Sequence, residues 1–255
     1  MNGRRWAAAG LLGAILAYLV SSFGSRLVPM NEKTFDSLPK ADKESLIRSW
    51  GSSNSESSGR LLLHAAVDAA PQIRQTAAYD LRRRCDLEDG MIALLDAGRG
   101  YEAGLMTALA ECHSQKAAPI FMKYLVNIST PGPAGVAAEA LEQIGAKEAI
   151  PQLIVAVQGC EEFCAARAAA ALSALGETAV SREWAIKKLS VPEPTKFDAY
   201  KTPDWMIRQY AVRIIGRIGT ASDIPILKES LERHGTLGEE AEAAVSAINK
   251  REAAK

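Results

Sequence analysis

Four cysteines, three histidines and one run of three arginines carry most of the specific chemistry open to this chain, and their spacing narrows what that chemistry could be. Cys160 and Cys164 are separated by Glu161, Glu162 and Phe163 at a junction between two helical stretches. That spacing can close in a turn and is awkward inside a regular helix. A Cys160–Cys164 disulfide is therefore a candidate, with two free thiols near one helix start as the alternative. Cys85 and Cys112 fall near the ends of corresponding helices in adjacent segments. Helix axes pack about 8–10 Å apart, whereas a disulfide needs Cα atoms within about 7 Å, so buried free thiols are expected at that pair. A four-cysteine zinc site is not expected, because the two pairs lie far apart along the chain. His64, His113 and His234 each sit in a different segment, which leaves no shared metal site in prospect. The expectation is a chain without metal or cofactor.

Sequence signatures of catalysis are also missing. There is no Gly-x-x-x-x-Gly-Lys phosphate loop, His-Glu-x-x-His helix, Gly-x-Ser-x-Gly elbow or Cys-x-x-Cys-His haem site. Without an obvious convergent set of titratable groups, binding rather than catalysis is the expected mode of action.

Two stretches could supply binding energy. Arg82, Arg83 and Arg84 form the densest basic cluster, suited to an acidic partner or lipid headgroups, although positive charge at a helix C-terminus is also favoured by the helix dipole. The second is an insertion from Val191 to Pro203, and long ordered loops in compact repeats tend to be functional. Phe197, Tyr200 and the nearby Trp205 are rings of the kind enriched at binding hot spots, and Lys196 and Lys201 flank them. The alternative is that these rings fold back over the helices. Arg208, Arg213 and Arg217 recur along one helix, where structural ion pairs are the expectation.

The elements that must position these residues repeat. Leu109, Leu141 and Ile215 are each followed ten residues later by a proline, Pro119, Pro151 and Pro225. Proline is tolerated at a helix start, where its missing N–H costs nothing and its fixed φ helps. The helix before the last proline places Ile207, Ala211, Ile214, Ile215 and Ile218 on one face. It ends at Gly219, a residue suited to the left-handed conformation after a C-terminus. Ala137, Leu141 and Ile144 before Gly145 repeat the pattern, as do Ala168, Leu172 and Leu175 before Gly176, and Ile73, Ala77 and Leu81 with Cys85 in the glycine slot. The period is about 31 residues with two helices in each. Six hairpins follow, approximately 57–86, 88–114, 116–145, 147–177, 178–219 and 221–251. Upstream, Lys33 to Trp50 contains a helix, and Ser49 to Gly59 reads as a Ser/Gly-rich hinge.

Ile207-Arg208 with Ala211, Ile215-Gly216 and Ile218-Gly219, followed by Asp223-Ile224-Pro225-Ile226-Leu227, resembles the HEAT-like repeats shared with phycobilin lyase subunits. Ile73-Arg74 with Ala77-Ala78 and Leu81 is similar, and the resemblance covers roughly Ser57 to Lys250. It implies an α-solenoid. It also implies adaptor or scaffold work for most members, with lyase subunits and metal-dependent hydroxylases as a minority. The hydroxylases depend on His-Glu pairs, which this chain lacks.

The first thirty residues differ from the rest. A basic head with Arg4 and Arg5 precedes an uncharged run from Trp6 to Phe23. Those residues as a helix would span roughly 27 Å, at the short limit for crossing a membrane. The flanking arginines would hold the N-terminus in the cytoplasm and send the rest across, where an even cysteine count invites disulfides. Ala9, Gly13 and Ala17 at four-residue spacing could let two anchors dimerise. Thirty basic and thirty acidic side chains cancel, so no nucleic-acid partner is expected. Aromatic residues make up only 6%, so the core must be built from Ala, Leu, Ile and Val.

These readings predict an all-α, right-handed solenoid of about six HEAT-like helical hairpins, preceded by one N-terminal transmembrane or signal helix. Residues 1–30 are assigned to the signal anchor or signal peptide, 31–56 to a helix plus Ser/Gly-rich linker, 57–251 to the repeats and 252–255 to a tail. The expected function is a membrane-tethered scaffold, not an enzyme. It would bind a protein partner with its soluble part outside the cytoplasm, as in a periplasm. A lyase-type enzyme or enzyme subunit on the same repeats is the alternative.

Overall fold

One helical hairpin is too small to bury its own apolar face, so the hairpins of this chain stack and each closes its neighbour. The computed structural model describes residues 30–127, 131–191, 203–232 and 235–254. Among them the elements are α1 (Glu32–Asp36), α2 (Lys40–Gly51), α3 (Glu56–Ala65), α4 (Pro71–Leu81), α5 (Glu88–Asp96), α6 (Glu102–Glu111), α7 (Ala118–Leu125), α8 (Pro131–Ile144), α9 (Ile150–Gly159), α10 (Glu162–Leu175), α11 (Thr178–Ser190), α12 (Asp204–Ile218), α13 (Lys228–Leu231) and α14 (Thr236–Ala253). Short 3-10 turns at Cys85–Leu87, Gln115–Ala117, Lys147–Ala149 and Ala221–Leu227 precede α5, α7, α9 and α13. There is no strand among the described residues.

The even-numbered helices form one row, α2 against α4 and onward in order to α14, and the odd-numbered helices line up behind them. Small side chains bring the even row close. Ala134, Ala137 and Ala138 of α8 and Ala165, Ala166, Ala168, Ala169 and Ala171 of α10 are all buried. Leu, Ile and Phe121 fill the space between the rows.

Helix boundaries follow local chemistry. Pro119 and Pro151 stand in the first turns of α7 and α9. Pro225 lies inside a 3-10 turn, before α13 begins. Asn31, Ser55, Glu161 and Glu177 cap α1, α3, α10 and α11 with side-chain oxygens. Gly145 and Gly176 take the left-handed conformation, with φ of 71° and 97°. Gly219 does not: its φ is −70°, and its role is close approach, since a Cβ there would lie 2.5 Å from the Ile215 carbonyl oxygen.

The Ser/Gly-rich stretch is clamped rather than hinged. Arg84 is fully buried and donates to the carbonyl oxygens of Trp50 at 3.2 Å and Ser53 at 2.5 Å and to Ser58 Oγ at 3.2 Å. Its remaining donors grip Asp86 at 2.7 and 2.8 Å. Phe35 of α1 and Ile47 and Trp50 of α2 are buried in the core, so the segment ahead of the repeats extends the stack.

No helix among the described residues is long and apolar enough to cross a membrane. The expected anchor at residues 6–23, its Ala9, Gly13 and Ala17, His234 and residues 192–202 of the insertion lie outside the described residues.

Candidate functional site

The half-exposed face of the even row between α8 and α14 carries rings and guanidiniums in alternation. Phe163 stands at the start of α10, where Glu161 accepts from the backbone N–H groups of Phe163 at 2.9 Å and Cys164 at 2.7 Å. The Arg167 guanidinium lies over the Phe163 ring at 4.4 Å, one helical turn on. Phe163 meets Tyr210 of α12 edge to face at 5.9 Å, and Arg213 lies over the Tyr210 ring at 5.7 Å. Carboxylates tie the ends: Glu139 of α8 pairs with Arg167 at 3.0 Å, and Glu240 of α14 accepts from Arg213 Nε at 3.0 Å.

Two contacts reach over α10 entirely. Tyr210 Oη donates to Glu139 Oε1 at 3.0 Å, and Arg217 Nη2 donates to Glu142 Oε1 at 3.2 Å. The helix they pass, α10, is built largely of alanine, which leaves the side chains of α8 and α12 room to meet. Burial pushes the Tyr210 phenol above its ordinary value, and the adjacent Glu139 carboxylate adds to that against the pull of Arg167. The phenol stays protonated and donates. Glu240 pushes the Arg213 guanidinium up further still.

One disulfide lies on this surface and the other joins the turns after α4 and α6. Cys160 is joined to Cys164, with Cα atoms 5.7 Å apart, so Phe163 is carried on a closed five-residue loop. Cys85 is joined to Cys112 with Cα atoms 5.4 Å apart. The expectation of free thiols there is corrected: the two cysteines sit in the turns that end α4 and α6, where the chains approach more closely than helix bodies do. No free cysteine stands among the described residues, and no three of His, Cys, Asp and Glu converge as metal ligands there.

The residues singled out from the sequence scatter. Arg84 is internal and is no partner contact. Arg82 lies over the exposed Tyr79 ring at 5.1 Å and pairs with Glu111 at 3.3 Å, while Arg83 lines a groove between α2 and α4. Trp205, at the start of α12, is 47% exposed. Phe197, Tyr200, Lys196 and Lys201 lie outside the described residues. The base of their insertion is closed: Arg208, buried in α12, donates to the Val191 carbonyl and pairs with Asp204 at 2.5 Å, and Lys188 pairs with Asp204 at 2.5 Å. Burial would raise the Asp204 carboxyl, but Lys188 and Arg208 outweigh it and hold it low. The ring row itself was not read from the sequence. Phe163 and Arg167 at one-turn spacing were its only local signal.

Comparison with known proteins adds three findings. Residues 134–159, from the body of α8 through α9, match the PBS lyase HEAT-like repeat. No curated protein matches the chain. Among solved structures, the chain is similar to one in the complex of CpcE and CpcF of phycocyanin lyase from Nostoc sp. PCC7120, with a TM-score of 0.51, 18% identity, and coverage of 90% of this chain and 98% of that one. The HEAT-repeat architecture is thereby shown. The expectation that the chain is not an enzyme is corrected: residues 134–159 match a PBS lyase HEAT-like repeat and the fold is similar to that of a chain in a phycocyanin lyase complex, so a solenoid without catalytic sequence signatures does not argue against enzyme work.

Proposed function

We propose that this chain is a lyase-type enzyme subunit, a HEAT-like solenoid that works with a second protein held on its even-numbered helices. The observation that carries the reading is the row of Phe163, Arg167, Tyr210 and Arg213. Half-exposed rings and guanidiniums on a rigid helical face have the composition of protein-binding hot spots. The fold beneath them is shared, nearly end to end, with a subunit of a two-protein lyase complex. Crosslinking in intact cells, followed by purification through the C-terminal end, should recover one second protein in near-equal amount. Incubating that pair with small molecules from the same cells should change the mass of the partner by addition or elimination of a group. Joint replacement of Arg167 and Arg213 by Ala should lose the partner while helicity persists. A native chain that purifies alone, or a pair that changes no mass, overturns the reading.

A second reading concerns compartment. We infer that the repeats fold outside the cytoplasm, behind an anchor at residues 6–23. Two disulfides support it, because such bonds persist in oxidising compartments and are rare in the cytosol. Maleimide labelling of protein taken directly from cells should modify no cysteine before reduction and all four after it. Labelling before reduction would place the chain in a reducing compartment.

A further inference from the structure

The groove between the C-terminal ends of α2 and α4 holds charges that the ring row does not use. Asp80, at its floor, is 3% exposed, and its carboxyl makes no hydrogen bond or ion pair among the described residues. Its oxygens open into the groove, where a bound molecule could reach them. Arg83, on the groove's lining, also makes no side-chain hydrogen bond or ion pair among the described residues. Arg48 lines the other side, drawn to Glu44 by a long pair at 3.8 Å. The fold makes room for this arrangement at Gly51, where a Cβ would lie 2.7 Å from both Cβ and Oδ1 of Asp80. The exposed Tyr79 ring stands at the rim, and the groove's volume of about 570 Å³ suits a small molecule.

We propose that this groove is a binding site for the carboxylate of a small organic acid, gripped by Arg48 and Arg83 above Asp80 and with the body of the acid against Tyr79. Guanidinium forks match carboxylate oxygens in shape and charge. Burial pushes the Asp80 carboxyl above its ordinary value, against the opposing pull of Arg83 and Arg48. Whenever that carboxyl carries its proton it can donate, and an anionic oxygen between the two arginines is an acceptor within the same groove. Arg83 and Arg48 are the charges that act on Asp80; neither Glu56, Arg60 and His64 of α3 nor Glu102 and Glu111 of α6 does so. A phosphate would fit the arginines as well but would bring a second negative charge against Asp80, which favours the carboxylate.

The site is independent of the partner-facing row, so it can fail or stand without that reading. The test titrates the purified full chain with benzoate and with inorganic phosphate by calorimetry between about pH 5.5 and 8, where benzoate is ionised throughout. Benzoate should saturate, phosphate should bind more weakly, and benzoate affinity should fall as pH rises and Asp80 loses its proton. Asp80→Asn, which still donates, should bind benzoate with that pH dependence removed. Arg83→Gln should weaken binding about tenfold or more, and Arg83→Lys, which keeps the charge and loses the fork, should fall between. Melting curves confirm that each variant is folded. No benzoate binding, equal affinity for phosphate, binding untouched by Arg83→Gln, or an unchanged pH profile in Asp80→Asn would each overturn the proposal.

Discussion

Tyr210 and Glu139 are 71 residues apart in sequence and share a 3.0 Å hydrogen bond that passes over the helix between them. The bond joins repeats that are not neighbours, so it couples the halves of the stack where a nearest-neighbour array would have no direct link. Tyr210→Phe should cost about 1 kcal/mol in urea denaturation. In a double-mutant cycle with Glu139→Gln, the coupling should be about 0.5–1.5 kcal/mol, with the competing Arg167 pair subtracted by the cycle. A coupling of zero would show that the two residues do not meet in solution.

His113 occupies, after α6, the place that Gly145 and Gly176 take after α8 and α10. Its φ is 54°, and its N–H bonds the Ala110 carbonyl oxygen as Gly145 bonds that of Glu142. A side chain in that conformation is strained by about 1 kcal/mol or somewhat more. His113→Gly should therefore stabilise the protein and raise Tm by about 2–4 °C. A fall in Tm would mean that the exposed imidazole contributes a contact worth more than the strain.

Cys85 and Cys112 are separated by 27 residues, while Cys160 and Cys164 are separated by 4. Loop-closure entropy in the unfolded chain grows with that separation. Removing the longer link by Cys85→Ala with Cys112→Ala should cost about 3.5 kcal/mol, and removing the shorter about 2 kcal/mol. Chemical denaturation of the two double variants gives the order directly, and a reversed order would locate the effect in native packing rather than in chain entropy.

Tyr124 gives the protein a predictable alkaline response. Burial, and then the Glu102 carboxylate that accepts its hydroxyl, push the phenol from 10.0 to about 12. In the unfolded chain it titrates near its ordinary value, so between those limits the folded state holds a proton that the unfolded state has lost. Stability from this group is full below the lower value and is lost as pH rises toward the upper one. Melts taken across that window should slope downward in the native protein and less steeply in Tyr124→Phe. Equal slopes would assign the alkaline loss elsewhere.

Several helix ends were legible because proline and glycine act within a few positions of themselves: Pro119 and Pro151 stand in first turns, and Gly145 and Gly176 follow last ones. Ile207, Ala211, Ile214 and Ile215 declare the buried face of α12. What distant segments do to one another was not legible. The Cys85–Cys112 pairing was misjudged because an axis-to-axis spacing was applied to residues that sit in turns. Arg84 looked like its neighbours in a basic run, yet its carbonyl partners come from Trp50 and Ser53, and only the three-dimensional path of that stretch brings them within reach. Asp80 is one aspartate on a helix, unremarked until Gly51 is laid flat against it.

The clasp at Arg208, Asp204 and Lys188 has an evolutionary reading. It fastens the last residues of α11 to the first of α12 whatever lies between them. A stretch tied off at its root can lengthen, shorten or exchange its aromatic content without disturbing the stack on either side.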